Sequence, residues 1–500
     1  MNVNLAERFG FAKRKLVTPA GVAVIFFCLA AVLRLSLATT AYYGSVGELY
    51  RDLEVIWQLW HFHDFPLLGP SSALGGFYFG ALYYYTEAVF VRAANFAPYG
   101  ATLASSFFSL LSLPTLYALC KRWFSDPWVA TVAVAIQSIA LFDIQNAYYI
   151  SNPNLLPFFV LAFFYLLTLI VEGKKSLSVY VLLGLTAGIA AQLHATALVL
   201  LPVILVWIFY HYRIKLSFVR VVVFCLFFLL PCVPYIIYVF QHGPAVFLAL
   251  FNIGQHQAAF GSRWLIIAGI FNFFGSFFIF KDGFFNFYPG YAPWFALAAV
   301  LAVLVAALAI WAWYKTGFGF SRTGISDIGH SLLTAWLGFG LLMYLIFAVP
   351  PAYYYFIIMW PLPAIAAAWW LCALWHTSKK YFWMIAVGYA VLQLLCVGIF
   401  FFAIYQPQYS YGNLQQLFGN LKQASAGQNY VVVNESLDLN QFYYYLRLNG
   451  IPQRRQNSPV PNGAGYTMYD IVDCPLGSNS LPVGSVVGNY RGICLSGRKE

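Results

Sequence analysis

Sixteen acidic residues are spread over this 500-residue chain, and five of them, Glu48, Asp52, Glu54, Asp64 and Glu87, fall between positions 48 and 87. Carboxylates this scarce and this clustered are the strongest pointer to chemistry in the sequence. In ELYRDLEVIWQLW, Leu49, Leu53, Ile56 and Trp60 recur at i, i+4, i+7 and i+11, the apolar stripe of a helix lying along a membrane. Glu48 and Asp52 share one flank of that helix. Arg51, Glu54 and Gln58 take the opposite polar side, which pairs Glu54 with Arg51. A carboxylate at a bilayer surface beside apolar groups suits a general base for a hydroxyl, because partial desolvation raises its basicity. Asp52 is the first candidate and Glu48 the second. The competing reading is that both only solvate or cap the helix.

Two further positions stand out. His194, in AAQLHATAL, is a lone imidazole in an apolar stretch, where a polar group costs enough to suggest function; a histidine satisfied by a neighbouring carbonyl is the rival. Asn152 in SNPN is read either as a functional loop residue or as part of a helix-starting turn with Pro153 and Asn154. His61 and His63 beside Asp64 resemble metal ligands at first sight, but i and i+2 face different ways on a helix. No phosphate-binding glycine loop, nucleophile elbow or zinc-ligand set is present, which argues against a nucleotide-driven pump. The sequence requires no cofactor and leaves a divalent metal open.

The elements that position these residues follow from composition. At 62% hydrophobic and 9% charged residues, with mean hydropathy +0.73, the chain departs far from the roughly 25% charged residues of soluble proteins. Backbone groups in hydrocarbon must bond within their own segment, so the long apolar runs are helices. The run from Gly21 to Tyr43 exceeds a signal h-region and lacks a convincing cleavage site, so it reads as a retained first span.

The net charge of +11 is dispersed rather than patched, which argues for the positive-inside pattern and against nucleic acid. Fifteen of the 27 Lys and Arg lie in six short gaps: residues 8–15, Lys121/Arg122, Lys174/Lys175, Arg213 to Arg220, Lys315/Arg322 and Lys379/Lys380. With these gaps cytoplasmic, eleven spans are expected: 19–43, 101–120, 127–146, 155–171, 177–193, 195–210, 219–240, 291–314, 329–349, 353–375 and 382–404. The amino terminus is then inside and the carboxyl terminus outside.

Residues 76–97 would reverse the later gaps if counted as a span, so they are expected as an aromatic outer-surface helix carrying Glu87 and Arg92. Residues 263–280 are read the same way, as re-entrant or interfacial. The expected domains are 1–404, an all-α polytopic membrane domain with residues 44–100 as its first outer loop and surface helices, and 405–500, a small extracytoplasmic α/β domain. The latter carries a strand-like YVVVN and a helix-like NQFYYYLRLNG. Its Cys474 and Cys494 are candidates for a disulfide if the tail is extracytoplasmic.

The order of a first span ending near Arg34, an acidic loop, then DFPLLGPSS, GGFYFGALYYY and ISNPNLLPFF resembles bacterial family 39 glycosyltransferases of the GT-C fold. Protein O-mannosyltransferases and the enzymes that add aminoarabinose or galacturonic acid to lipid A are relatives of these. The likeness covers roughly residues 20–210, with the later spans alike only in hydropathy. It implies inverting transfer from a polyprenyl-phosphate sugar to a hydroxyl of a glycan, lipid or protein, with an acidic first-loop residue as base. Asp52 matches that position best.

The chain also departs from the family pattern. Asp52-Leu53-Glu54 stands where members commonly have an Asp-Glu pair, and Ala81 where many have Pro. Asn152 replaces an Asp, which weakens a metal role there, and His194 stands where a Lys often approaches the carrier phosphate. A His on that phosphate would make activity titrate between about pH 5 and 8. A departing phosphate needs cations, and the outer-face candidates are Arg34, Arg51, Arg92, Arg263 and Lys281. Arg34, inside the outer half of the first span, is the most informative, with snorkelling as its rival reading. Glu54, Glu87 and Asn152 complete the expected acceptor side.

The expected protein is therefore a multi-pass plasma- or inner-membrane glycosyltransferase whose active site faces outward. Its partners are a lipid-linked sugar, membrane lipids and an acceptor. A transporter or flippase of lipid-linked sugars would instead bury ionisable groups near the bilayer midplane. A non-catalytic envelope scaffold would tolerate replacement of Asp52.

Overall fold

The computed structural model describes residues 18–39, 46–72, 77–148, 150–174, 176–215, 217–249, 292–316, 324–347, 353–404 and the strand residues 430–433, 453–455, 466–473, 486–490 and 493–499. In chain order the described helices of eight residues or more begin with α1 (Pro19–Leu35), α2 (Val46–Trp60), α3 (Leu82–Ala93), α4 (Tyr99–Trp123) and α5 (Pro127–Ile139). They continue with α6 (Leu141–Tyr148), α7 (Leu156–Val171), α8 (Leu177–Leu193), α9 (Ala195–His211), α10 (Phe218–Leu229) and α11 (Val233–His242). The last four are α12 (Ala292–Thr316), α13 (Asp327–Phe347), α14 (Pro361–Thr377) and α15 (Lys379–Ile404). These residues fall into two compact units. The first comprises Met1–Leu35, Pro66–Tyr83 and Ser105–Phe402; the second comprises Ser36–Phe65, Tyr84–Ala104 and Ala403–Glu500.

The first unit is a helical membrane body. Helix occupies every one of the eleven stretches expected to span. Among the described residues, six helical runs are long and apolar enough to cross a bilayer, or seven if α5 and α6, bent by 54°, form one broken span. The expected first span is shorter than the sequence suggested, since α1 stops at Leu35.

The expected single span over 127–146 is broken. Asp126 caps α5 by accepting from the Trp128 N–H at 2.9 Å, and Ala140, extended at φ −61 and ψ 122, ends it. A break inside hydrocarbon frees backbone groups that water cannot reach, so other helices must satisfy them. Arg34 of α1 donates to the Ser138 carbonyl at 2.9 Å and the Gln137 carbonyl at 2.9 Å, and the Leu141 N–H donates to Gln393 Oε1 of α15 at 2.9 Å. Further bonds hold the carboxyl-terminal end of α1: Tyr148 Oη donates to the Leu33 carbonyl at 3.0 Å, and Ser106 Oγ lies 3.1 Å from the Arg34 carbonyl.

On α8, Gly184 and Gly188 sit one turn apart against α10. A Cβ at either would collide with the Phe224 or Phe228 carbonyl, so these two helices pack backbone to backbone. The segment expected as one interfacial helix over 76–97 is two elements. Strand β1 (Leu68–Ser71) pairs antiparallel with β2 (Tyr78–Gly80), and only from Leu82 does α3 begin. Gly69 and Gly80 make this hairpin possible, since a Cβ at Gly69 would strike the Gly80 carbonyl and one at Gly80 would strike Gln192 of α8.

The second unit holds α2, most of α3 and a five-stranded sheet. In that sheet β3 (Tyr430–Val433) lies parallel between β4 (Gln453–Arg455) and β5 (Tyr466–Asp473). Strand β7 (Ile493–Lys499) then pairs antiparallel with β5 on one side and with β6 (Val486–Tyr490) on the other. The strand expected at YVVVN is therefore present. The helix expected at 440–450 and the interfacial segment expected at 263–280 lie outside the described residues.

Candidate active site

Asp52 lies on the buried face of α2 rather than on its flank. Leu53 and Ile56 are buried on that face, and Asp52 itself is only 4% exposed. Its Oδ1 accepts from Arg51 Nε at 2.9 Å, from Arg51 Nη2 at 2.9 Å and from Tyr84 Oη of α3 at 3.1 Å. Three donors converging on one oxygen suit the ionised carboxylate. Arg51 was expected beside Glu54; its guanidinium reaches Asp52, and Glu54 accepts from Gln58 Nε2 at 2.8 Å.

Glu87 departs furthest from expectation. It was read as a surface residue on the acceptor side, yet it is 0% exposed, and neither carboxyl oxygen has a hydrogen-bond partner among the described residues. Burial, and then the charge of Asp52, push its carboxyl well above the ordinary carboxylate range. Burial and Asp52 likewise raise the Tyr84 hydroxyl, which stays a donor. Tyr84 and Glu87, at i and i+3 on α3, thus meet Asp52 of α2 as one cluster. The sequence carried a signal for it in the spacing of LYYYTE, but the tyrosine run reads equally as interfacial aromatics.

Arg92, at the exposed end of α3, donates to Asn95 Oδ1 at 3.4 Å and lies 5.7 Å from the ring centres of Trp60 and Phe96. Asn95 and Phe96 end that helix in left-handed conformations, φ 52 and 60. His61 and His63 stack with Trp57, at centroid distances of 4.0 and 5.7 Å. Among the described residues no three His, Cys, Asp or Glu side chains gather closely enough to share a metal. The side chain of Glu48 lies outside the described residues, as do Arg263 and Lys281.

His194 stands in the turn between α8 and α9 and is 3% exposed. Its Nδ1 accepts from the Thr196 N–H at 3.3 Å and lies 2.8 Å from Thr196 Oγ1, so the imidazole caps the amino terminus of α9. Phe79 of the hairpin stacks on it at 5.6 Å. Burial pushes this imidazole down to about 4. Asn152 is buried and donates to the Leu193 carbonyl at 2.6 Å, tying the Asn152–Leu155 turn to the end of α8.

Arg34 is 0% exposed, and beyond its two carbonyl bonds at the break its Nε donates to Ser109 Oγ at 2.8 Å. A guanidinium so engaged closes a helix break and does not snorkel. Gln137, whose Nε2 donates to Asp143 Oδ1 at 3.0 Å, and Gln393 belong to the same knot. Sequence reasoning missed both, because an isolated Gln in a span carries no periodic signal.

Comparison with solved structures gives this helical membrane architecture a class, the GT-C fold. The chain is similar to ArnT from Cupriavidus metallidurans in the apo state, with TM-score 0.52 and 15% identity over 96% of this chain and 98% of that one. It is also similar to the same protein bound to undecaprenyl phosphate, with TM-score 0.50 and 13% identity over 95% and 97%. No family model matches the chain, and no curated protein matches it in sequence.

Proposed function

We propose that this protein is a multi-pass glycosyltransferase that moves a sugar from a polyprenyl-phosphate donor to an acceptor hydroxyl at the extracytoplasmic face. The observation that carries this reading is the Asp52 carboxylate, buried on α2 and oriented by Arg51 and Tyr84, in a chain whose fold resembles that of an ArnT crystallised with undecaprenyl phosphate. In the proposed step the acceptor oxygen bonds to the anomeric carbon as the bond from that carbon to the carrier phosphate oxygen breaks, inverting the centre. Asp52 takes the hydroxyl proton, and the carrier leaves as polyprenyl phosphate. Arg51, half exposed at the site, and Arg92, Arg263 and Lys281 are the cations proposed for that leaving group. Arg34 and His194 are not proposed for the role, since one is engaged at a helix break and the other caps the amino terminus of α9. The carboxyl-terminal sheet is proposed to shape acceptor access from the outer side.

The break at Ala140 is the feature that a transporter of lipid-linked sugars would use. Its freed carbonyls are taken by Arg34, which argues against an ion or substrate site there. The two readings separate in proteoliposomes supplied with polyprenyl-phosphate sugars and membrane extract. Release of sugar-free polyprenyl phosphate matched by labelled acceptor is expected. Movement of intact lipid-linked sugar across the bilayer without release would overturn the proposal.

A further inference from the structure

Glu87 is a carboxyl group with no exposure and no hydrogen-bond partner among the described residues, one helical turn from the tyrosine that donates to Asp52. A buried carboxylate left ionised and unpaired costs several kcal/mol, roughly, and chains avoid this by pairing the group or by keeping its proton. Two ionised carboxylates sharing one buried cluster add mutual repulsion, so one of them takes up a proton. The surroundings decide which. Asp52 has the Arg51 guanidinium and the Tyr84 hydroxyl on its Oδ1, whereas Glu87 has neither. Among the described residues, the charge that acts on Glu87 is that of Asp52 on α2, which in turn holds Arg51 and Tyr84, and Tyr83, also buried, lies one turn before Glu87 on α3.

We propose that Asp52 and Glu87 form a carboxyl pair holding a single proton, resident on Glu87, so that Glu87 acts as a positioning residue that keeps the negative charge on Asp52. This rests on the reading of Asp52 as base, and it assigns Glu87 a role within the site in place of an acceptor contact. The neutral acid adds no donor to Asp52 and no second charge to the cluster. It therefore leaves the electrostatics of the base to Arg51 and Tyr84. The pair has two macroscopic titrations, which belong to both residues together.

Infrared difference spectra of the purified full-length protein test this without reference to turnover. Subtracting the Glu87→Gln spectrum from that of the unaltered protein at pH 7 is expected to leave a protonated-carboxyl C=O band. In Asp52→Asn, where the neighbouring charge is gone, that band is expected to titrate at a pH lower by about one unit or more, the coupling of a true pair. Absence of the band at pH 7 would overturn the proposal, because Glu87 would then be ionised. An unchanged titration in Asp52→Asn would overturn it equally, and that variant decides the matter if Glu87→Gln fails to fold. Transfer that survives in Asp52→Asn while the band shifts would sink the base assignment and leave the pair standing. The opposite combination would sink the pair alone.

Discussion

At the scale of single residues, the proposed chemistry depends on how Asp52 is held. Tyr84 donates to it from another helix, and a hydrogen bond to a charged group contributes about 1.5–3 kcal/mol. Tyr84→Phe is therefore expected to reduce single-turnover transfer about 10- to 100-fold with the fold intact, read against near-ultraviolet circular dichroism; an unchanged rate would remove Tyr84 from the site. His194 gives a contrasting prediction. Its folded value of about 4 lies below the ordinary imidazole value, so as pH falls the unfolded chain binds a proton first. Stability from this group is fully present above about pH 6.5 and is lost as pH falls toward 4. Thermal unfolding in detergent is expected to show that loss and to show less of it in His194→Gln, while the rate of transfer shows no imidazole titration between pH 5 and 8. Asp52 stands out as a candidate in the sequence because five of sixteen acids crowd one loop. Its partner does not, since the periodic stripe predicts which residues face inward but not whether a neighbouring arginine reaches them.

At the scale of elements, the broken span shows what hydropathy cannot reveal. Residues 127–146 read as one apolar segment, and Ala140 carries no breaking signal of the kind Gly or Pro would give. The break persists because Arg34 and Gln393, 106 residues before Ala140 and 253 after it, satisfy what it frees. Arg34→Met would leave the Gln137 and Ser138 carbonyls without that donor, at about 1–3 kcal/mol each. It is expected to destabilise the protein to thermal unfolding in detergent, with Arg34→Lys recovering part of the loss. Stability equal to the unaltered protein in Arg34→Met would show that the break needs no such closure. The hairpin was hidden for a related reason: three strand residues are too few for alternation to show, while Gly69 and Gly80 report a close approach only once Gln192 is known to lie opposite. Gly184 and Gly188, four residues apart, likewise let α8 and α10 approach closely.

At the scale of the whole molecule, composition and charge spacing were enough to establish a multi-pass membrane protein and to place helix at every expected span. The spacing of basic gaps also supports the proposed outward-facing carboxyl terminus. The motif order that suggested a GT-C fold is matched by the fold itself, which resembles ArnT over nearly the full length at 15% identity. At that identity the shared property is architecture. The reaction has to be argued from the site, where the buried carboxylate and its donors are the observation that counts.

The most direct test is single-turnover transfer of labelled sugar from polyprenyl phosphate in reconstituted liposomes, comparing the unaltered protein with Asp52→Asn at equal folded amount. Loss of a positioned general base costs about 10²- to 10⁴-fold, and a decrease of that size is expected while donor binding persists. Transfer at an undiminished rate in Asp52→Asn would contradict the account of the site, and its absence from the unaltered protein across a broad panel of donors and acceptors would contradict the proposed function.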